Sequence, residues 1–130
     1  MNRSLEEDFV RTYIIKNRRE RLLFELHGSK RQDAVGRFCH CADDLLIESR
    51  IKSKGQYILK DIEARLLASA AQTCYVISYS LGIDGKMLRK QEVLDEIIGR
   101  GMASIAIFDD FVIIETEQVQ GPAIKYILEK

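Results

Sequence analysis

Arg37-Phe-Cys-His-Cys41 puts two thiols and an imidazole within three positions, the densest group of metal-ligand and nucleophile types in the chain. Zinc or iron needs four ligands, or three plus water, in tetrahedral array. Only His27 and Cys74 remain as nitrogen or sulfur donors, and neither stands at a motif spacing. On a helix, positions 39 and 41 point about 200° apart and cannot share one ion. The pattern therefore implies no metal and no cofactor. A nucleophile reading uses the same residues, with Cys39 or Cys41 as a thiolate favoured by Arg37 and His40. Adjacent side chains rarely face each other, so the base would be His27 or a distant group. The competing reading is two small buried cysteines on a helix, with His40 at its polar end.

The second set is basic: Lys16, Arg18, Arg19, Arg21, Lys30, Arg31 and Arg37, against Glu20, Glu25 and Asp33. Arginine forks match phosphate oxygens, so the segment suits a nucleic-acid backbone or a phosphorylated ligand. With the neighbouring imidazole, the candidate binding residues are Arg18, Arg19, Arg21, Arg31, Arg37 and His40. No exposed aromatics are interleaved and no helix-turn-helix or ribbon motif is present. A solvated face with i,i+4 pairs from Glu20 is the competing reading.

The carboxylates Asp43-Asp44, Asp84 and Asp109-Asp110 suit Mg²⁺ or acid/base chemistry, yet each falls in an expected turn or helix start, where aspartate serves the backbone. Gly82-Ile-Asp-Gly85 and Gly99-Arg-Gly101 match neither a P-loop nor a dinucleotide fingerprint. Gly-x-Ser-x-Gly and His-Glu-x-x-His are absent. No catalytic residue is assigned, and the motifs do not support an enzyme.

The 130 residues suit one globular domain, 1–130, with apolar residues at 46% and charged residues at 31%, ordinary for a folded soluble protein. The first residues are charged and lack the apolar core of a signal peptide. No apolar run approaches the ~18 residues of a membrane span. Three cysteines do not build a disulfide framework. The expectation is a cytoplasmic protein with no membrane partner. Net charge is zero but polarised: residues 1–60 carry 13 Lys/Arg against 9 Asp/Glu, a net of +4, and residues 61–130 carry 7 against 11, a net of −4. Such a dipole favours head-to-tail association or an anionic partner.

These residues must be positioned by recognisable elements. Ser4-Leu-Glu-Glu is a capping box for a helix over 5–15. Residues 21–27 fit a helix stopped at Gly28, or a short strand. Ser29 starts a second capping box and a helix ending near Cys41. Residues 45–51 fit strand and helix alike, and 52–55 read as a loop. The spacing of Ile58, Ile62 and Leu66 predicts a helix over 56–72, expected to be the most buried one. Strand composition marks 73–79, a turn follows at 82–85, and a helix is predicted over 87–99. Two apolar, β-branched runs flank Asp109-Asp110, predicting a hairpin over 103–115 with a two-residue loop. Pro122 reads as the N1 position of a last helix.

The fold class is α+β. A helical N-terminal half packs on a small C-terminal sheet of three to five strands, built from a β-α-β-β-α unit that includes the hairpin at 103–115. If 73–79 pairs parallel to 103–108, the 87–99 helix is a right-handed crossover. The functional expectation is a small binding or regulatory protein, acting through a protein partner or as a homo-oligomer by self-association. The motives are the charge separation and an open edge at the hairpin. The alternatives are nucleic-acid or phosphate-ligand binding through 16–37, and a Cys/His-dependent enzyme or metal protein centred on 37–41.

Overall fold

The computed structural model describes residues 1–130. Helices are α1 (Arg3–Tyr13), α2 (Arg19–Leu26), α3 (Arg31–His40), α4 (Ala42–Leu45), α5 (Leu59–Ala68) and α6 (Glu92–Glu96). Strands are β1 (Ile51–Gly55), β2 (Thr73–Ser78), β3 (Met87–Arg89), β4 (Ser104–Ile107), β5 (Phe111–Glu115) and β6 (Lys125–Glu129). They form one antiparallel sheet of order β1-β6-β5-β4-β2-β3. The fold is α+β, with helices mostly N-terminal and strands mostly C-terminal.

Both sheet faces are covered. On one face, Phe9, Val10, Leu23, Val35 and Phe38 of α1–α3 pack on Tyr75, Ile77, Ile105, Val112, Ile114 and Leu128. On the other, Ile62 and Leu66 of α5, with Val93 of α6 and Ile97 just beyond it, pack on Val76, Ala106, Phe111, Ile113 and Ile127. That makes three layers around one sheet. It also explains why Phe-Val-Ile-Ile-Glu of β5 is buried throughout: a strand covered on both faces has no polar side to alternate with.

The hairpin forms as expected, with Ile107 opposite Val112 and Phe108 N–H donating to the Phe111 carbonyl at 2.9 Å. It lies in mid-sheet, paired on both sides by β2 and β6, so it offers no open edge. The edges are β3, three residues long, and β1, which exposes Lys52 and Lys54. Short strands and lysines are devices that discourage edge pairing.

Several expectations are corrected. Residues 52–55 belong to the edge strand β1, not a loop. The final segment is strand β6, not a helix: Tyr126 and Leu128 enter one core and Ile127 the other. An apolar run buried on both faces imitates a helical period. The 87–99 helix is a short strand, β3, followed by α6, so β2 and β3 form their own hairpin across the 81–85 turn. β2 then meets β4 antiparallel, Tyr75 opposite Ile107, and the parallel crossover does not exist. The C-terminal unit is therefore β-β-α-β-β-β, and the sheet has six strands. α5 is not the most buried helix: only Ile62 and Leu66 are buried, and Leu67 is 84% exposed. Residues 21–27 are helical, whereas 45–51 hold the end of α4 and a 3₁₀ turn, Glu48–Arg50.

The caps also move. Asn2 caps α1, its side chain accepting from Leu5 N–H at 3.1 Å, so Ser4 lies inside the helix. Lys30 precedes α3 without a side-chain cap, so Ser29 starts nothing. Before β4, Gly99 and Gly101 adopt φ of 82° and 67°, a region open to glycine. Both N–H groups donate to the buried Glu115 carboxylate at 2.8 Å, which locks the loop onto β5.

Candidate functional site

The six candidate binding residues separate into three environments. Arg18, Arg21 and Arg37 line one groove of about 310 Å³ between α2, α3 and α4. Its floor is apolar, formed by Leu22, Ala34, Phe38 and Leu45, and its rim adds Glu25, Cys41 and Asp44. Arg37 donates to Glu25 at 2.6 Å, with Arg21 3.9 Å from the same carboxylate. That bond to Glu25 pushes the Arg37 pKa up. The three arginines share the groove because they sit on neighbouring turns: Arg18 just before α2, Arg21 one turn later, and Arg37 on the facing side of α3.

Arg31 is withdrawn from any ligand, and Arg19 is turned toward the end of α1. Arg19 Nε donates to the Ile14 carbonyl at 2.9 Å, closing the end of α1. Arg31 is buried and uses all five of its N–H donors. It bonds both Glu6 oxygens at 2.7 Å, both Asp84 oxygens at 2.8 and 3.0 Å, and the Leu26 carbonyl at 3.0 Å. Burial alone would lower its pKa, but the bonds to Asp84 and Glu6 outweigh that and hold it above the ordinary range. The Tyr75 hydroxyl donates to Glu6 at 2.6 Å, and Asp84 accepts from Ser78 N–H at 3.0 Å. Burial, with Glu6 beside it, pushes the Tyr75 phenol up to about 12. This cluster ties α1, α3 and β2 to the 81–85 turn, and its role is structural. His27 Nε2 stands 3.8 Å from Glu6 at its margin without a hydrogen-bond partner.

His40 is exposed at the end of α3 and borders a separate open depression with Asp43, Glu117 and Tyr126. It is not brought to the arginines. Cys39 is buried and Cys41 exposed, on different sides of the helix end, and no group of three or more His, Cys, Asp or Glu is arranged to hold a metal ion. Burial pushes the Cys74 thiol up to about 12 and the Cys39 thiol higher still, which keeps both protonated and unreactive. The expected outcome of alkylation is one equivalent of label on the native protein, at Cys41, and three after denaturation. Intact-mass analysis checks it, and rapid labelling of Cys39 in the native state would contradict the burial.

Asp43 is held below the usual carboxylate range by hydrogen bonds from Lys54 and Tyr126. It accepts from the Tyr126 hydroxyl at 2.7 Å, tying the start of α4 to β6. The apolar floor of the arginine groove was legible only as core: Leu22 and Phe38 look like ordinary buried positions until α2 and α3 are placed side by side.

Compared with known proteins, the chain matches no protein-family model, no curated protein and no solved structure.

Proposed function

We propose that the protein works by binding, and that the groove between α2 and α3 receives an acidic, partly apolar segment of a protein partner. The observation that carries this reading is the convergence of Arg18, Arg21 and Arg37 over a floor of Leu22, Ala34, Phe38 and Leu45. Arginine is favoured where planar bidentate contact with carboxylates matters. An apolar floor beneath it rewards a ligand that brings alkyl or aromatic groups with its charge.

A nucleic-acid ligand is disfavoured. Tracking a phosphate backbone requires a run of free cations, and Arg31, in the middle of the basic segment, is committed to the fold.

The test uses a fluorescein-labelled peptide of alternating glutamate and leucine, followed by anisotropy. Arg18→Glu/Arg21→Glu is expected to weaken binding by at least about tenfold per charge reversed at low salt, and the affinity should fall as ionic strength rises. Both arginines are exposed, so thermal stability should stay unchanged. Equal binding by wild type and variant would overturn the reading. Tight, strongly salt-dependent retention on heparin, lost in the same variant, would transfer the groove to phosphate-bearing ligands.

A further inference from the structure

Phe24 is 81% exposed, and it stands on α2, one of the helices that wall the arginine groove. None of the other exposed large apolar side chains lies on an element bordering that groove. A phenyl ring kept in water forgoes the gain of burial, and aromatic rings are enriched at the core of protein interfaces. Glu20, one turn earlier, shares the face of Phe24, since residues i and i+4 are neighbours on a helix. It is exposed, and its contact is a loose one with Arg11 at 3.8 Å. Phe24 does not line its own groove, whereas Arg21, Leu22 and Glu25 do. At about 100° per residue, Arg21 lies between the Glu20–Phe24 face and the groove wall. One helix therefore carries both an acidic, apolar knob and one side of a basic recess with an apolar floor.

We infer that the groove is filled by the Glu20–Phe24 face of a second copy of this chain, in a closed two-fold pair. With the groove taken as the binding site proposed above, its occupant is this chain's own α2. The Phe24 ring enters over Leu22, Ala34, Phe38 and Leu45, and the Glu20 carboxylate meets Arg18 and Arg21. Both arginines are exposed; Arg18 makes no ion pair, and Arg21 has only the 3.9 Å contact with Glu25. Knob and recess share a helix, so a two-fold axis beside α2 lets each copy give and receive the same contacts. Such an interface closes at two chains, whereas contact between unlike surfaces continues into rings or filaments. Across the axis, the charge match and the burial of the ring are each made twice.

Sedimentation equilibrium of the whole chain from about 1 μM to 1 mM should show monomer and dimer with no larger species, and pairing that weakens as salt rises. Phe24→Ala should weaken pairing at least about a hundredfold, about tenfold for each ring removed. Its Tm at a concentration where both proteins are monomeric should match wild type, because the ring is exposed. Arg21→Glu and Glu20→Arg should each weaken pairing at least about tenfold. Glu20→Arg/Arg21→Glu restores opposite charges across the axis and should recover pairing to within about threefold of wild type. Binding of the glutamate–leucine peptide is measured alongside. Phe24→Ala should bind that peptide as wild type does, because the ring does not line the groove. A chain still monomeric at about 1 mM that binds the peptide would overturn the second copy as occupant and leave the groove as a site for another partner. A chain that neither pairs nor binds peptide would overturn both. Pairing untouched by Phe24→Ala, or not recovered by the charge swap, would place the interface elsewhere and overturn the two-fold pair.

Discussion

Replacing Arg31 with methionine is expected to lower the free energy of unfolding by about 3–5 kcal/mol, measured by urea denaturation at neutral pH. Methionine fills much of the same volume, so the loss is electrostatic. Glu6 is fully buried and Asp84 nearly so, and each is neutralised by this one guanidinium. Without it, two carboxylates are left in the interior. Lysine cannot substitute, because a single ammonium cannot fork to four oxygens and a carbonyl, so Arg31→Lys should lose most of the same stability. The pH dependence has a definite sign. In Arg31→Met, two buried carboxylates lose their counter-ion, a cost carried only by the charged forms, so taking up protons favours the folded variant. The deficit relative to wild type should therefore shrink as pH falls from 7 toward 4. Removing all three charges together, as Glu6→Met/Arg31→Met/Asp84→Asn, should recover part of the loss, since no unpaired charge remains. A deficit for Arg31→Met below about 1 kcal/mol, or one independent of pH, would show that the cluster does not hold the helices to the sheet.

Phe111→Ala is expected to cost about 3–5 kcal/mol. Phe111 is fully buried in the face of the sheet covered by α5 and α6. Its ring stacks on Phe108 with centroids 4.3 Å apart and planes within 6°. The Arg65 guanidinium lies 4.0 Å from the ring centroid, and Arg65 also pairs with Asp110 and Glu129. Truncation opens a cavity and removes the surface on which that guanidinium rests, and no neighbouring strand is free to close the gap. Asp109→Asn, two positions earlier, should change stability by less than about 0.5 kcal/mol, because Asp109 is exposed and makes no ion pair. A urea melt of each variant, with the m value unchanged, checks both. Near-equal losses at 109 and 111 would mean that the hairpin is held by its turn rather than its core.

The buried ionic cluster was encoded more plainly than the pattern of basic residues suggested. Glu6 occupies the same helical face as Phe9, Val10 and Tyr13, and Arg31 the same face as Ala34, Val35 and Phe38. A charge at a core register position must find its opposite inside the protein. Counting Arg31 among the surface cations overlooked that register. Asp84 gives no comparable signal, since it sits in a turn and becomes the third member only when the β2–β3 hairpin folds back toward α3.

Local signals were sufficient for the α+β class, for α1, α3, β2 and the hairpin, because each has a clear period or a strong turn and buries one continuous stripe or run. They failed for β1, β3 and β6. β1 is polar because it is an edge strand, β3 is too short to show a period, and β6 is buried on both faces and so lacks the alternation that marks a strand. Strand identity there is conferred by partners far along the chain, as when Lys54 pairs with Tyr126 and Ile113 with Ile127. The same holds for function. Residue type alone marked Arg18, Arg21 and Arg37 as able to meet an anion. That Arg31 is spent in the interior while Arg18, Arg21 and Arg37 border one groove, and that an apolar floor lies beneath them, followed from the packing of α2 against α3, since a side chain's availability depends on what its neighbours have already claimed.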